Sequence, residues 1–135
     1  MMIGILARGN SMKKIYVCSQ LAGDYENNIK KAKTYARFVV KECGAIPIAP
    51  HIYFTQFLDD TVSEERTFGT LAGLLLLTEC DELWYFGNRV SKGMVREIIL
   101  AKENGIPVRY ISDSEMENII NENGGNQNEM EQEVH

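Results

Sequence analysis

The sequence predicts an α/β fold, a three-layer arrangement in which a parallel sheet of four to five strands carries helices on both faces. Three observations lead to it. Short apolar runs alternate along the chain with longer segments of helical period. Leu83, Trp84, Tyr85 and Phe86 follow one another without polar alternation, as in a strand covered on both faces. Strands and helices alternating at this spacing form β-α-β units, and right-handed crossovers then give a parallel sheet of Rossmann or flavodoxin type.

The first strand is expected from Ile15 to Ser19, followed by a loop from Gln20 to Tyr25 in which Asp24 or Asn27 can cap a helix. That helix is predicted over about residues 26–42, with Ile29, Ala32, Ala36, Val39, Val40 and Cys43 on its apolar face. Gly44 ends it, and a second strand follows over residues 45–49. Pro50 and His51 open a long connection whose aromatics, Tyr53, Phe54 and Phe57, are expected to pack rather than stand in solvent. Thr61 or Ser63, followed by Glu64 and Glu65, starts a third helix that reaches about Glu79. After the strand at residues 83–86, Gly87 and Asn88 break the chain, and Ser91 caps a helix from Lys92 to about Glu103. Asn104-Gly105 stops that helix and a last strand runs over residues 106–111. Ser112 or Asp113 then caps a short helix to about Ile120.

Residues 13–120 therefore read as one α/β domain, long enough for a real core. Residues 121–135 are Asn, Glu, Gln and Gly with almost nothing to bury, and are expected to be a disordered acidic tail. Residues 1–12 are expected to be an N-terminal extension outside the fold, because Met12-Lys13-Lys14 directly precedes the first strand.

Composition narrows the function classes. A net charge of −5 over 135 residues argues against a nucleic-acid-binding surface, which carries a basic stripe. It leaves room for one small phosphorylated ligand in a local pocket. No apolar run approaches the roughly 18 residues of a membrane helix, and no signal peptide precedes the first strand, so no membrane partner is expected. Cys18, Cys43 and Cys80 are scattered and odd in number, which reads as buried thiols in a reducing compartment, the cytoplasm. No GxGxxG, Walker loop, HExxH or GxSxG is present, and no metal or cofactor is expected.

Ligands of such sheets bind outside the carboxyl ends of the strands. Those ends bring forward Ser19 and Gln20, His51, and Gly87 and Asn88, with Arg66 and Arg89 as the nearest basic residues at the rim. Ser91-Lys92-Gly93-Met94 opens a helix there, where backbone N–H groups and the helix dipole suit an anion such as phosphate. Gly93 would let a ligand approach closely; the same segment also reads simply as a capped helix. Val90, Met94, Glu97 and Ala101 recur at spacings of four, three and four, which puts Glu97 on a mostly apolar stripe. A charge there is costly unless it is used or paired. The plainer reading pairs Glu97 with Arg96 or Lys92, or lets its head reach water. Tyr16, in the first strand, reads alone as a core residue with a satisfied hydroxyl, and His51 as a strand-end side chain.

Taken together, several segments resemble the nucleoside 2-deoxyribosyltransferase superfamily, and within it a branch found in bacterial and prophage genomes. They are Lys14-Ile15-Tyr16-Val17, the strand from Asp81, Ser91-x-Gly93-Met94-x-x-Glu97-x-x-x-Ala101 and Gly105-Ile106-Pro107-Val108. Ile48-Ala49-Pro50-His51, Phe54-Thr55-Gln56-Phe57-Leu58 and Arg66 look typical of that branch. The resemblance implies a carboxylate nucleophile at Glu97 that attacks the anomeric carbon of a deoxynucleoside and expels the base. It implies that Tyr16 positions that carboxylate, and that Ser91 and Gly93 face the sugar or its phosphate. It also implies a homo-oligomer, dimer or higher, and a nucleoside or nucleotide as the small-molecule partner. The chain departs from the pattern in two places. Transferases of the family carry Asp where this chain has Ser91. Their base-recognising Asp falls near Gly73, where Leu71-Ala72-Gly73-Leu74-Leu75 has no carboxylate. The expected function is hydrolysis or deoxyribosyl transfer at the N-glycosidic bond of a nucleoside or nucleotide. The alternative is a catalytically inactive protein that senses or sequesters a nucleotide or an ADP-ribose-derived signal.

Overall fold

A computed structural model of the chain describes residues 12–134, with side chains through Gly124; residues 1–11 and 135 lie outside the described residues, and with them nearly all of the expected N-terminal extension. Four strands, β1 (Lys14–Cys18), β2 (Ile46–Ile48), β3 (Glu82–Phe86) and β4 (Val108–Ile111), form one sheet in the order β2-β1-β3-β4. Every pairing is parallel, with Tyr16 opposite Ile48 on one side and Leu83 on the other. This is the flavodoxin-like order, in which the direction of strand addition reverses between β1 and β3.

Among the described residues, five helices accompany the sheet: α1 (Tyr25–Cys43), α2 (Pro50–Phe54), α3 (Ser63–Thr78), α4 (Lys92–Glu103) and α5 (Asp113–Val134). Successive strand residues point to opposite faces, and the core divides accordingly. Ile15, Val17, Trp84, Phe86 and Ile111 pack with Tyr35, Phe38 and Val39 of α1 and Met116 and Ile119 of α5. Tyr16, Cys18 and Leu83 pack on the other face with Leu77 of α3 and Met94 and Ala101 of α4. The expected three-layer α/β architecture is therefore the observed one, with four strands.

Several elements differ from the sequence reading. The buried side of α1 is Asn28, Ala32, Tyr35, Phe38 and Val39, while Val40 is exposed. The face is set by the large rings, and Tyr35 stacks on Phe86 with centroids 4.5 Å apart. Cys43, at the outer side of the last turn, is exposed rather than buried; Cys18 and Cys80 are buried. Gly44 ends α1 as expected, at φ 62°, and its N–H meets the carbonyls of Val39 and Val40.

The long connection contains a helix, α2, because Pro50 supplies a pre-set first position. Its aromatics do pack, edge to face among Tyr53, Phe54, Phe57 and Phe68, yet Tyr53 and Phe57 remain exposed. Neither Thr61 nor Ser63 caps α3: Val62 holds that place, and the Thr61 hydroxyl donates to Asp59. The last strand begins at Val108 rather than Ile106.

Beyond residue 120, where disorder was expected, α5 continues to Val134. A scarcity of apolar residues argues against a packed core but not against a helix. The segment has no proline, and its four Glu and two Gln favour a helix although its four Asn and two Gly do not. Asn123 also donates to the Glu42 carboxylate at the end of α1.

Candidate functional site

A cavity of about 450 Å³ opens at the carboxyl ends of β1 and β2, among α2, α3 and the first turns of α4. It lies outside the carboxyl edge of the parallel sheet, the edge at which ligands of such folds bind. Its buried lining residues include Tyr16, Ser19, Met94 and Glu97. Tyr16 and Cys18 project from the same face of β1, two residues apart. Glu97 lies in the second turn of α4, on the buried stripe Met94-Glu97-Ala101. Val90, expected on that stripe, precedes the helix and is exposed.

Ser91 caps α4, its hydroxyl accepting from the Met94 amide at 3.3 Å. That cap starts the helix at Lys92 and so sets the turn on which Glu97 falls. Glu97 is 8% exposed and belongs to no ion pair among the described residues. Burial raises its pKa to about 7, while donors from Tyr16 and Cys18 and the charge of Arg96 pull it down. The Cys18 thiol lies 3.9 Å from Oε1 of Glu97. Burial and the Glu97 charge push both the Tyr16 hydroxyl and the Cys18 thiol up, so both stay protonated donors. A carboxyl balanced near neutrality in a cavity can act as nucleophile, base or acid.

Ser19, His51, Arg66, Ser91, Gly93 and Met94 also line this cavity. His51 makes one defined contact, from Nε2 to the Ser19 carbonyl at 2.8 Å, and burial lowers its pKa, so it is held neutral against the end of β1. Gln20, Gly87 and Asn88 stand elsewhere, around a second, smaller nook that shares Ser19 with the main cavity. Gln20 spends its amide on the Ala22 carbonyl at 3.0 Å. Gly73 faces Tyr16, and a Cβ there would stand 3.5 Å from both the Tyr16 hydroxyl and Pro50.

Sequence reasoning did not assign to the site Cys18, which contacts Glu97, nor the lining residues Asp60, Glu65, Lys92 and Arg96. Two signals could have found some of them. Cys18 shares a strand face with Tyr16, and Glu65, Gly69 and Gly73 recur every fourth residue along one side of α3.

A family model described as "Domain of unknown function (DUF7768)" matches residues 13–111. The chain belongs to this family. The DUF7768 domain here runs from the residue before β1 to the last residue of β4, and it contains every residue that lines the main cavity. Helix α5 follows it. No curated protein sequence matches the chain. Among solved structures, a 2-deoxyribosyltransferase from the psychrotolerant bacterium Bacillus psychrosaccharolyticus is similar, with a TM-score of 0.57 and 22% identity. The match covers 73% of this chain and 72% of that one, and it shows a common fold.

Among the described residues, no cluster of three or more His, Cys, Asp or Glu side chains is arranged to hold a metal ion. No described helix is long and apolar enough to cross a membrane.

Proposed function

We propose that the chain cleaves or transfers the N-glycosidic bond of a nucleoside or nucleotide, with Glu97 as nucleophile. The observation that carries this reading is a nearly buried carboxylate, without an ion-pair partner, at the inner end of a cavity large enough for a nucleotide. Its likeness in fold to a 2-deoxyribosyltransferase adds support.

In this reading the ionised Glu97 attacks the anomeric carbon as the bond to the base breaks. The electron pair of that bond leaves with the base, which takes up a proton from solvent water. The charge of Glu97 stabilises the oxocarbenium-like centre and then forms a glycosyl ester. Water, or a second base, attacks the same carbon and returns the carboxylate. Tyr16 and Cys18 orient the carboxyl oxygens and favour the ionised form. The Ser91 cap and Gly93 face the sugar side of the cavity.

A second copy of the chain is part of the proposal. Phe68, Leu71 and Leu75 on α3 and Val95 and Ile99 on α4 are exposed, on two helices that pack against each other. Leu75 is 69% exposed, which a lone soluble domain seldom tolerates beside four apolar neighbours. A homodimer or larger assembly would cover this face beside the cavity.

The absence of a carboxylate at Gly73 favours the second reading, a nucleotide-binding protein without turnover. A panel of deoxynucleosides and their 5′-monophosphates separates the two. Turnover predicts base release by the parent and its loss in Glu97→Ala. Binding without turnover predicts a raised melting temperature with some nucleotide and no base released from any.

A further inference from the structure

The net charge of −5 is unevenly distributed along the chain. Residues 113–135 hold seven of the 19 carboxylates and no Lys or Arg, while residues 12–112 hold 13 cations against 12 carboxylates. The α/β body is therefore close to neutral, and the acidity belongs to the C-terminal segment. Within the body, cations gather on α1. Between Glu26 and Glu42 this helix carries Lys30, Lys31, Lys33, Arg37 and Lys41 and no carboxylate.

The helical period sets four of these in one line. At about 100° and 1.5 Å per residue, Lys30, Lys33, Arg37 and Lys41 fall within roughly 80° around the helix and extend over about 17 Å. The buried side of α1, with Asn28, Ala32, Tyr35, Phe38 and Val39, lies opposite, so the line follows the outermost ridge of the helix. All four residues are exposed, and none is ion-paired among the described residues. Glu26 stands at the head of the line, one turn before Lys30, and is not paired with it. At that end Lys31 meets Arg89 around the nook beside Ser19, which carries the positive surface on to the carboxyl edge of the sheet.

Cations at these spacings repel one another along the helix, and a partner of opposite charge relieves that repulsion. A protein partner needs apolar anchors to bury, and Val40 alone among the α1 residues is a large apolar side chain left exposed. A phosphodiester backbone needs no such anchor, since it binds rows of Lys and Arg through charge and the release of counterions. We propose that the outer ridge of α1 docks the phosphodiester backbone of a nucleic acid, independently of base sequence. The argument from net charge against nucleic acid holds for the chain as a whole and not for this face. The docking surface stands apart from Glu97 and does not rest on the glycosidic reading.

Fluorescence anisotropy of the full chain with labelled single-stranded and duplex DNA, each in two unrelated sequences, reads the docking. With four phosphate contacts, affinity should fall about fifty-fold for the single strand and about 150-fold for the duplex between about 50 and 200 mM salt. The two sequences should bind alike. Lys33→Ala with Arg37→Ala should weaken binding about tenfold or more at the lower salt and halve the salt slope. Its melting temperature should not fall, since both residues are exposed and alanine favours the helix. Lys102→Ala, exposed on α4, should bind as the parent does. No binding at about 0.1 mM protein and the lower salt overturns the proposal, as does binding that the double variant leaves intact. Polyglutamate bound more tightly than either nucleic acid assigns the ridge to an acidic protein and overturns it equally. None of these outcomes bears on base release by Glu97.

Discussion

Replacing Glu97 with Gln isolates the cost of holding a carboxylate in the core. Its pKa is about 7 in the folded chain against an ordinary 4.5, with burial the main cause. The folded state therefore keeps a proton that the unfolded chain releases between those values. The associated stability is complete below pH 4.5 and is lost as pH rises through about 7. At 1.36 kcal/mol per pH unit, the ionised carboxylate costs about 3 kcal/mol at pH 8 and under about 1 kcal/mol at pH 5. Gln has the same shape and no charge, so it removes the pH-dependent part whatever constant offset its altered hydrogen bonding adds. Urea unfolding of parent and Glu97→Gln at pH 5 and pH 8 measures this directly. The stability difference, variant minus parent, should be about 2 to 3 kcal/mol greater at pH 8. A difference that does not change with pH would refute the placement of an ionisable, nearly buried Glu97. So would one that moves in the opposite direction.

Other predictions follow from the same geometry. If Glu97 is the nucleophile, kcat/KM for base release rises with pH through a midpoint near 7 and levels off above it, as read from a pH–rate profile. Tyr16→Phe removes the stronger donor that lowers the Glu97 pKa, so this midpoint moves above 7 and the rate at pH 7 falls; Cys18→Ala moves it the same way by less. Phe86→Ala removes the ring on which Tyr35 stacks and Phe38 abuts, and should cost about 3 to 5 kcal/mol in chemical denaturation. Leu71→Lys with Leu75→Lys charges the exposed face of α3, and light scattering should then give a monomer where the parent gives a dimer or larger assembly.

Much of the fold was legible because it rests on patterns of period and punctuation. The unbroken run Leu83-Trp84-Tyr85-Phe86 marks a central strand, and Gly44 and Ser91 mark helix ends with identifiable atoms. What escaped depends on distant partners. Nothing local distinguishes Tyr35 and Phe38 from Ile29 and Val40 as the inward face of α1; Phe86, nearly fifty residues on, selects the rings. The helix after Ile120 escaped because a polar segment without proline is compatible with both coil and helix.

The candidate site divides in the same way. Glu97 was singled out by its spacing and Tyr16 by the family resemblance, whereas Gln20, Gly87 and Asn88, grouped with them by strand-end position, line a separate space. Strand ends identify an edge of the sheet, but the side chains decide which of the two spaces beside Ser19 each residue enters. Cys18, read as a buried thiol, and Glu65, read as part of a helix start, were not linked to the site because each acquires that meaning only through a neighbour, Glu97 for one and the side of α3 for the other.

The central claim is that Glu97 forms a bond to the anomeric carbon. Its most direct test is the intact mass of the protein after incubation with 2′-fluoro nucleosides and their 5′-monophosphates. The electron-withdrawing fluorine slows breakdown of a glycosyl ester by disfavouring the oxocarbenium-like transition state. The account predicts release of one base together with a mass gain of one fluorinated sugar or sugar phosphate. The gain should map to the peptide containing Glu97 and be absent in Glu97→Ala. Base release without an adduct, or an adduct that persists in Glu97→Ala, would contradict it.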